Sequence, residues 1–241
     1  MADLKSLLEI MAQLRDPEGG CPWDLEQDFS SISPHTIEEA YEVDEAIASG
    51  NLERLRDELG DLLFQVVFQA RIAEELGAFD FEGVIEAIVS KLIRRHPHIF
   101  ADAEMPESVS DQARHWESIK DAERKAEAVL GGGPVDLFAG IPRNLPALAR
   151  SAKLAGRLAK IGHRGADAAP DEIMTRLDQT LASAAEALRK EAGLASEREA
   201  ALRLVGEGLH AWVGLARALG VDPEQALRRA DDERIAAVGR E

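Results

Sequence analysis

EEAYEVDEAIASGNLERLRDELGD, residues 38–61, holds two acidic clusters separated by a polar break. Glu38, Glu39 and Glu42 form the first, Glu58 and Asp61 the second, and Ser49-Gly50-Asn51 lies between them. The apolar residues on each side keep a helical period, so the stretch predicts two helices joined by a tight turn. Positions 38 and 42, 39 and 42, and 58 and 61 share helix faces. Two antiparallel helices would therefore gather carboxylates around one point. Such a group repels itself unless a hard cation neutralises it. Oxygen ligands without a nearby Cys or His favour Mg²⁺, with Mn²⁺ as a substitute, over zinc. A solvated acidic helix face accounts for the same spacing.

Outward from this stretch the pattern stays helical. Leu4, Leu7, Leu8, Met11 and Leu14 predict an amphipathic helix over 4–15. Asp16 to Pro34 reads as a Pro/Gly/Ser-rich loop, with Trp23 either plugging the core or standing at a pocket rim where an aromatic ring stacks on a base. Thr36, with Glu39 three residues on, fits a capping box opening the next helix. Helices are expected over 52–77, 81–95, 108–130, 141–162, 171–192, 197–220 and 222–238. Nothing reads as strand, and the fold class is all-α. Lys91, Arg94 and Arg95, in the last turn before Pro97, complement a helix dipole and also form a compact basic cluster in an acidic region.

The net charge of −17 is unevenly spread. Residues 1–133 hold 12 Lys/Arg against 29 Asp/Glu, and the remainder holds 16 of each. The first part is therefore a poor general nucleic-acid binder. No apolar run is long enough to span a bilayer, and the N-terminus does not read as a signal peptide. The single cysteine, Cys21, permits no internal disulfide and suits a reducing cytoplasm.

The chain breaks most clearly at Gly131-Gly132-Gly133-Pro134. The expected organisation is an N-terminal domain over 1–130, a Gly-rich linker over 131–140 and a C-terminal domain over 141–241. The two domains echo each other. Gly60, Leu63, Val67, Ala70 and Arg71 reappear as Gly206, Leu209, Val213, Ala216 and Arg217. The acidic chemistry does not reappear: Leu204 stands for Glu58, and Glu207 for Asp61. One active half and one structural half are expected.

A negative centre with a bound cation and a basic cluster in reach is a reasonable receptor for a nucleoside triphosphate. A carboxylate such as Glu38 could orient or deprotonate water there. A di-iron carboxylate bundle needs two Glu-x-x-His pairs, and this chain has one, Glu207 and His210. No Ser-His-Asp arrangement or nucleophile elbow stands out.

EEAYE (38–42) followed by ELGDLLFQVVF (58–68) resembles the EExxE and ExxD signature of the MazG nucleoside triphosphate pyrophosphohydrolases. LRDPEGGCPWD (14–24), KLIRRHPHIFAD (91–102), HWESIK (115–120) and IPRNLPAL (141–148) are similar to segments of that family. The resemblance implies tandem MazG-like helical bundles completed by dimerisation, as a homodimer or higher homo-oligomer. It implies Mg²⁺-dependent hydrolysis of NTPs or dNTPs to the monophosphate and pyrophosphate. Glu39, Glu42, Glu58 and Asp61 would take the metal, with Glu38 close by, either supporting those ligands from one layer out or acting as a water base. Lys91, Arg94 and Arg95 would contact nucleotide, as would Arg54, Trp116 and Lys120. Family members of this length usually carry a second EExxE and ExxD in the C-terminal domain. Their erosion here leaves a catalytically weakened nucleotide-binding or dimerisation scaffold as the alternative.

Overall fold

The computed structural model describes residues 3–130, 136–163, 169–189 and 195–238. Every regular element among them is a helix. They run α1 (Leu4–Leu14), α2 (Pro22–Glu26), α3 (Phe29–Ser49), α4 (Leu52–Glu75), α5 (Phe81–Arg95), α6 (Pro97–Phe100), α7 (Val109–Leu130), α8 (Ala147–Lys160), α9 (Pro170–Arg189), α10 (Ala195–Ala218) and α11 (Pro223–Val238). The chain divides into two compact units, Met1–Ile119 and Lys120–Glu241, so the division falls within α7. The glycine stretch 131–133, expected as a linker, lies outside the described residues.

In the first unit, α4 is the central helix and packs on α1, α3 and α5. Its buried face supplies Val67, Phe68 and Ile72 to a core completed by Met11 and Ile32. Leu7, Leu8, Phe64 and Phe81 pack against that core. The α3–α4 turn has two sequence-encoded parts. Gly50 sits at φ +68°, a left-handed conformation that glycine adopts without steric penalty. Asn51 then caps α4, its side-chain oxygen accepting from the amides of Glu53 and Arg54 at 3.1 Å. Gly77 ends α4 in a Schellman motif, donating to the Glu74 carbonyl while the Ala78 amide reaches the Ala73 carbonyl.

The start of α3 corrects the sequence expectation. Asp28, not Thr36, is the N-cap, and its carboxylate accepts from the amides of Ser30 and Ser31. The Ser31 hydroxyl accepts from the Asp28 amide and completes the box. Pro34 lies inside the helix and forgoes only one backbone bond. Thr36 is interior, its hydroxyl accepting from Gln69 Nε2 at 2.8 Å across the α3–α4 interface. The expected loop from Asp16 to Pro34 is likewise shorter, because Pro22 opens α2, to which Trp23 belongs.

α2 is held by Arg15, whose side chain is 7% exposed. Its guanidinium donates to the Asp24 carbonyl, to the Gln27 carbonyl at 3.1 Å, and to both carboxylate oxygens of Glu75 on α4. It also lies 5.4 Å from the centroid of the Phe68 ring.

The second unit repeats the helix order: α10 packs on α8, α9 and α11. Ile173, Leu177 and Ala211 form its core cluster, with Leu215 against it. Val213, the counterpart of Val67, is as deeply buried as Val67 itself. Arg217, the counterpart of Arg71, donates to the Ala152 carbonyl of α8.

Glu75 links the fold to pH. Its hydrogen bonds from Arg15 hold its carboxyl below the usual range, with Arg71 adding to the effect. A depressed folded-state value contributes stability above the unfolded pKa, and that stability is lost as pH falls through the folded value. Glu75→Gln is expected to destabilise the protein by about 2 kcal/mol at neutral pH, with the difference shrinking in acid, as read by urea unfolding followed by circular dichroism. Phe68→Ala, which empties the core beneath Trp23, is expected to cost about 3–5 kcal/mol in the same assay.

Candidate metal centre

The two arms of the α3–α4 hairpin carry the acidic clusters past each other. Glu39 on α3 and Glu58 and Asp61 on α4 each offer a carboxylate oxygen, and the three atoms lie within 4.8 Å of one another. Glu39 and Glu58 are half-buried, and Asp61 is exposed at the mouth. Glu42 is not in this convergent set but hydrogen-bonds to Glu39 one turn along α3.

The electrostatics of this arrangement centre on Glu39. Burial raises its pKa most; the hydrogen bond with Glu42 raises it further, and the charges of Glu42, Asp61 and Glu58 act in the same direction. Like charges and partial desolvation both disfavour ionisation. Glu58 has a cationic neighbour in Arg54, whose Nε donates to it at 3.0 Å across one helical turn. Arg54 also donates to Glu45 on α3 at 3.0 Å, tying the two arms together beside the cluster.

The donor set fits a hard divalent cation: three converging carboxylates, with no thiolate or imidazole in the group. The three oxygens, all within 4.8 Å of one another, are near enough to be drawn onto one cation. What this arrangement can do is hold a cation at the mouth of the hairpin, open to solvent on the Asp61 side.

The other expected residues fall elsewhere. Glu38 is exposed and faces His35 Nδ1 at 3.6 Å. Lys91, Arg94 and Arg95 lie on the last turns of α5, a helix that packs on α4. Just beyond them, His96 makes an edge-on contact with Trp116 of α7, with ring centroids 5.3 Å apart. The KLIRRHPH and HWESIK segments therefore meet. The His96 ring is oriented by its Nδ1, 2.7 Å from the Leu92 carbonyl. Lys120 belongs to the second unit. Trp23 rests edge-on against Phe68 at 6.5 Å and His35 at 6.2 Å, yet remains half exposed. It is at once a plug on the core and an accessible ring.

Sequence reasoning passed over Gln65, which is 6% exposed and whose Oε1 is enclosed without a hydrogen-bond partner. The signal was present: one polar residue interrupts the apolar run LLFQVVF, four residues after Asp61. Arg15 was passed over as well, and nothing in its local spacing marks it as buried.

Comparison with known proteins gives this geometry a family. The model of the MazG nucleotide pyrophosphohydrolase domain matches residues 27–100, a span that includes both acidic clusters and the basic end of α5. The nucleoside triphosphate pyrophosphohydrolase of Escherichia coli K12 is 44% identical over 97% of this chain and 84% of its own length. The nucleoside triphosphate pyrophosphohydrolase/pyrophosphatase MazG of Thermotoga maritima is 38% identical over 94% of this chain and 80% of its own. The match to a Mycobacterium tuberculosis nucleoside triphosphate pyrophosphohydrolase, 36% identical, takes in 69% of this chain and 49% of that protein. The first two alignments run through both structural units, so the likeness is not confined to the acidic hairpin. The chain belongs to the MazG nucleotide pyrophosphohydrolase family.

Proposed function

We propose that the protein hydrolyses nucleoside triphosphates, ribo- or deoxyribo-, to the monophosphate and pyrophosphate, with Mg²⁺ held by the α3–α4 hairpin. The observation that carries this reading is the convergence of Glu39, Glu58 and Asp61. The names of the E. coli and T. maritima relatives supply the substrate class. A role in clearing or controlling nucleotide pools follows from that chemistry.

In the reaction, water adds to phosphorus, the bond between the α- and β-phosphates breaks, and pyrophosphate leaves. The cation, when bound, supplies charge neutralisation of the phosphates and a more acidic water. Glu39, Glu58 and Asp61 would hold it, with Glu42, one turn along α3, as a further ligand. Glu38, exposed on the same helix, is positioned to take a proton from water. Arg54 fixes Glu58 and shares its charge with phosphate. Lys91, Arg94 and Arg95 provide the cationic side of the substrate site. Trp23, Trp116 and Lys120 are assigned to the nucleoside, the two indoles as stacking surfaces.

The same reading makes the protein a homodimer or higher homo-oligomer in the cytoplasm. α5 buries no residue fully, and Ile85, Ile88, Val89, Leu92 and Ile93 all stand exposed along it. A second copy would cover such a stripe. The single cysteine fits a reducing compartment. Among the described residues no helix is long and apolar enough to cross a membrane. The first unit's acidity disfavours nucleic acid as a partner.

Leu204 in place of Glu58 gives the second unit no equivalent centre and supports the alternative of a weakened, mainly nucleotide-binding scaffold. Pyrophosphate release from a panel of NTPs and dNTPs separates the two. The wild type is expected to turn over nucleotide with Mg²⁺, and Glu58→Gln and Asp61→Asn to lose at least about 100-fold in rate. No pyrophosphate from any nucleotide would sink the enzyme reading. Chelation by EDTA should abolish release, and added Mg²⁺ or Mn²⁺ should restore it. Light scattering after size exclusion is expected to give at least twice the 26.2 kDa chain mass, and Ile88→Glu with Leu92→Glu to shift it toward one chain.

A further inference from the structure

Trp23 of α2 and His35 of α3 form an aromatic corner, with ring centroids 6.2 Å apart and planes at 68°. Trp23 is backed by Phe68, edge-on at 6.5 Å. The short helix that carries it is held by the Arg15 guanidinium on the Asp24 and Gln27 carbonyls. The indole nonetheless stays 52% exposed, and the His35 side chain 45%. A large aromatic surface that the core holds in place and leaves open is costly to expose to water and well suited to a planar ligand.

His35 and Glu39 are one turn apart on α3, so they share a face and stand about 6 Å apart along the helix axis. The corner is therefore within reach of a nucleoside whose phosphates are held at the carboxylates. The His35 ring turns Nδ1 toward Glu38 Oε2, at 3.6 Å, which leaves Nε2 as the nitrogen open to a ligand. An exposed pair of this kind contributes little stability, and the half-open indole beside it gives the ring another use. A base laid flat on Trp23 meets the His35 plane at the same 68°, so His35 is not a second stacking plate. We propose that His35 is a specificity-determining residue for the nucleobase: with the base stacked on Trp23, His35 Nε2 hydrogen-bonds its edge. This rests on the proposed hydrolysis of nucleoside triphosphates.

The test separates contacts to the base from contacts to the phosphates. Pyrophosphate release with Mg²⁺ gives kcat and KM for each nucleotide, and inorganic tripolyphosphate, which has no base, serves as competing ligand. In His35→Ala, KM for the wild type's best nucleotide is expected to rise about ten-fold, the effect of one lost hydrogen bond. The loss should fall on KM rather than kcat, with tripolyphosphate inhibiting as in the wild type. His35→Gln, which keeps a side-chain donor and acceptor, is expected to recover more of the KM than His35→Phe, which keeps only a ring. An unchanged KM in His35→Ala would overturn the proposal, as would better recovery by phenylalanine than by glutamine. Tripolyphosphate inhibition weakened in parallel would also overturn it, by putting His35 on the phosphates. Should tripolyphosphate not inhibit the wild type, the KM comparison of the three variants decides alone. Failure of the wild type to turn over any nucleotide would instead remove the hydrolase reading, and this proposal with it.

Discussion

A buried cation holds the first unit together. Arg15 ends α1, reaches the carbonyls at the end of α2, and grips Glu75 near the end of α4, with its plane close to the Phe68 ring. Burying a guanidinium is costly unless its donors are filled, and here carbonyls and a carboxylate fill them. The bond set fixes where the chain between α1 and α3 must run. Trp23 is thereby laid against Phe68, and α3 enters at the angle that Asp28 then caps. The placement of α3 on α4, and so the meeting of Glu39 with Glu58 and Asp61, sits on this support.

The acidic centre is a region of deliberate tension. Glu39 is partly buried beside Glu42 and faces two more carboxylates; burial raises its pKa most, and the neighbouring carboxylates push the same way. The hairpin withstands this because Arg54 spans Glu58 and Glu45 on its two arms and because the interior side of the same helices is a continuous apolar core. Helix packing of this kind supplies far more stabilisation than a few exposed or half-exposed charges remove.

Much of this was legible in the sequence, for reasons that differ by element. The α3–α4 hairpin could be read because Gly50-Asn51 is strong turn chemistry and because three- and four-residue spacing fixes which carboxylates share a face. The start of α3 could not be read from Ser33-Pro34, which looks like a helix opening. A capping box built from Asp28 and Ser31 won, and proline within the early helix costs little beyond one bond. α2 is too short for periodicity to register. Arg15 was invisible because its partners, Asp24, Gln27 and Glu75, are distant in sequence and leave no local pattern. Gln65 left one sign, a polar residue inside an apolar run. The meeting of the KLIRRHPH and HWESIK segments was not legible. No spacing rule brings His96 of one helix boundary to Trp116 of another helix.

The acidic centre draws its three converging carboxylates from a single hairpin, and they continue the same faces of α3 and α4 that bury the core: Glu39 stands seven residues from Ile32, and Asp61 seven from Phe68. Chemistry and architecture thus occupy successive stretches of the same two faces. A duplicated copy inherits the whole centre in one short stretch, and a few point changes remove it. The second unit has that character: Val213 is as buried as Val67, while Leu204 stands at the position of Glu58. Such a module keeps its shape while its catalytic allotment is gained, lost or passed between copies.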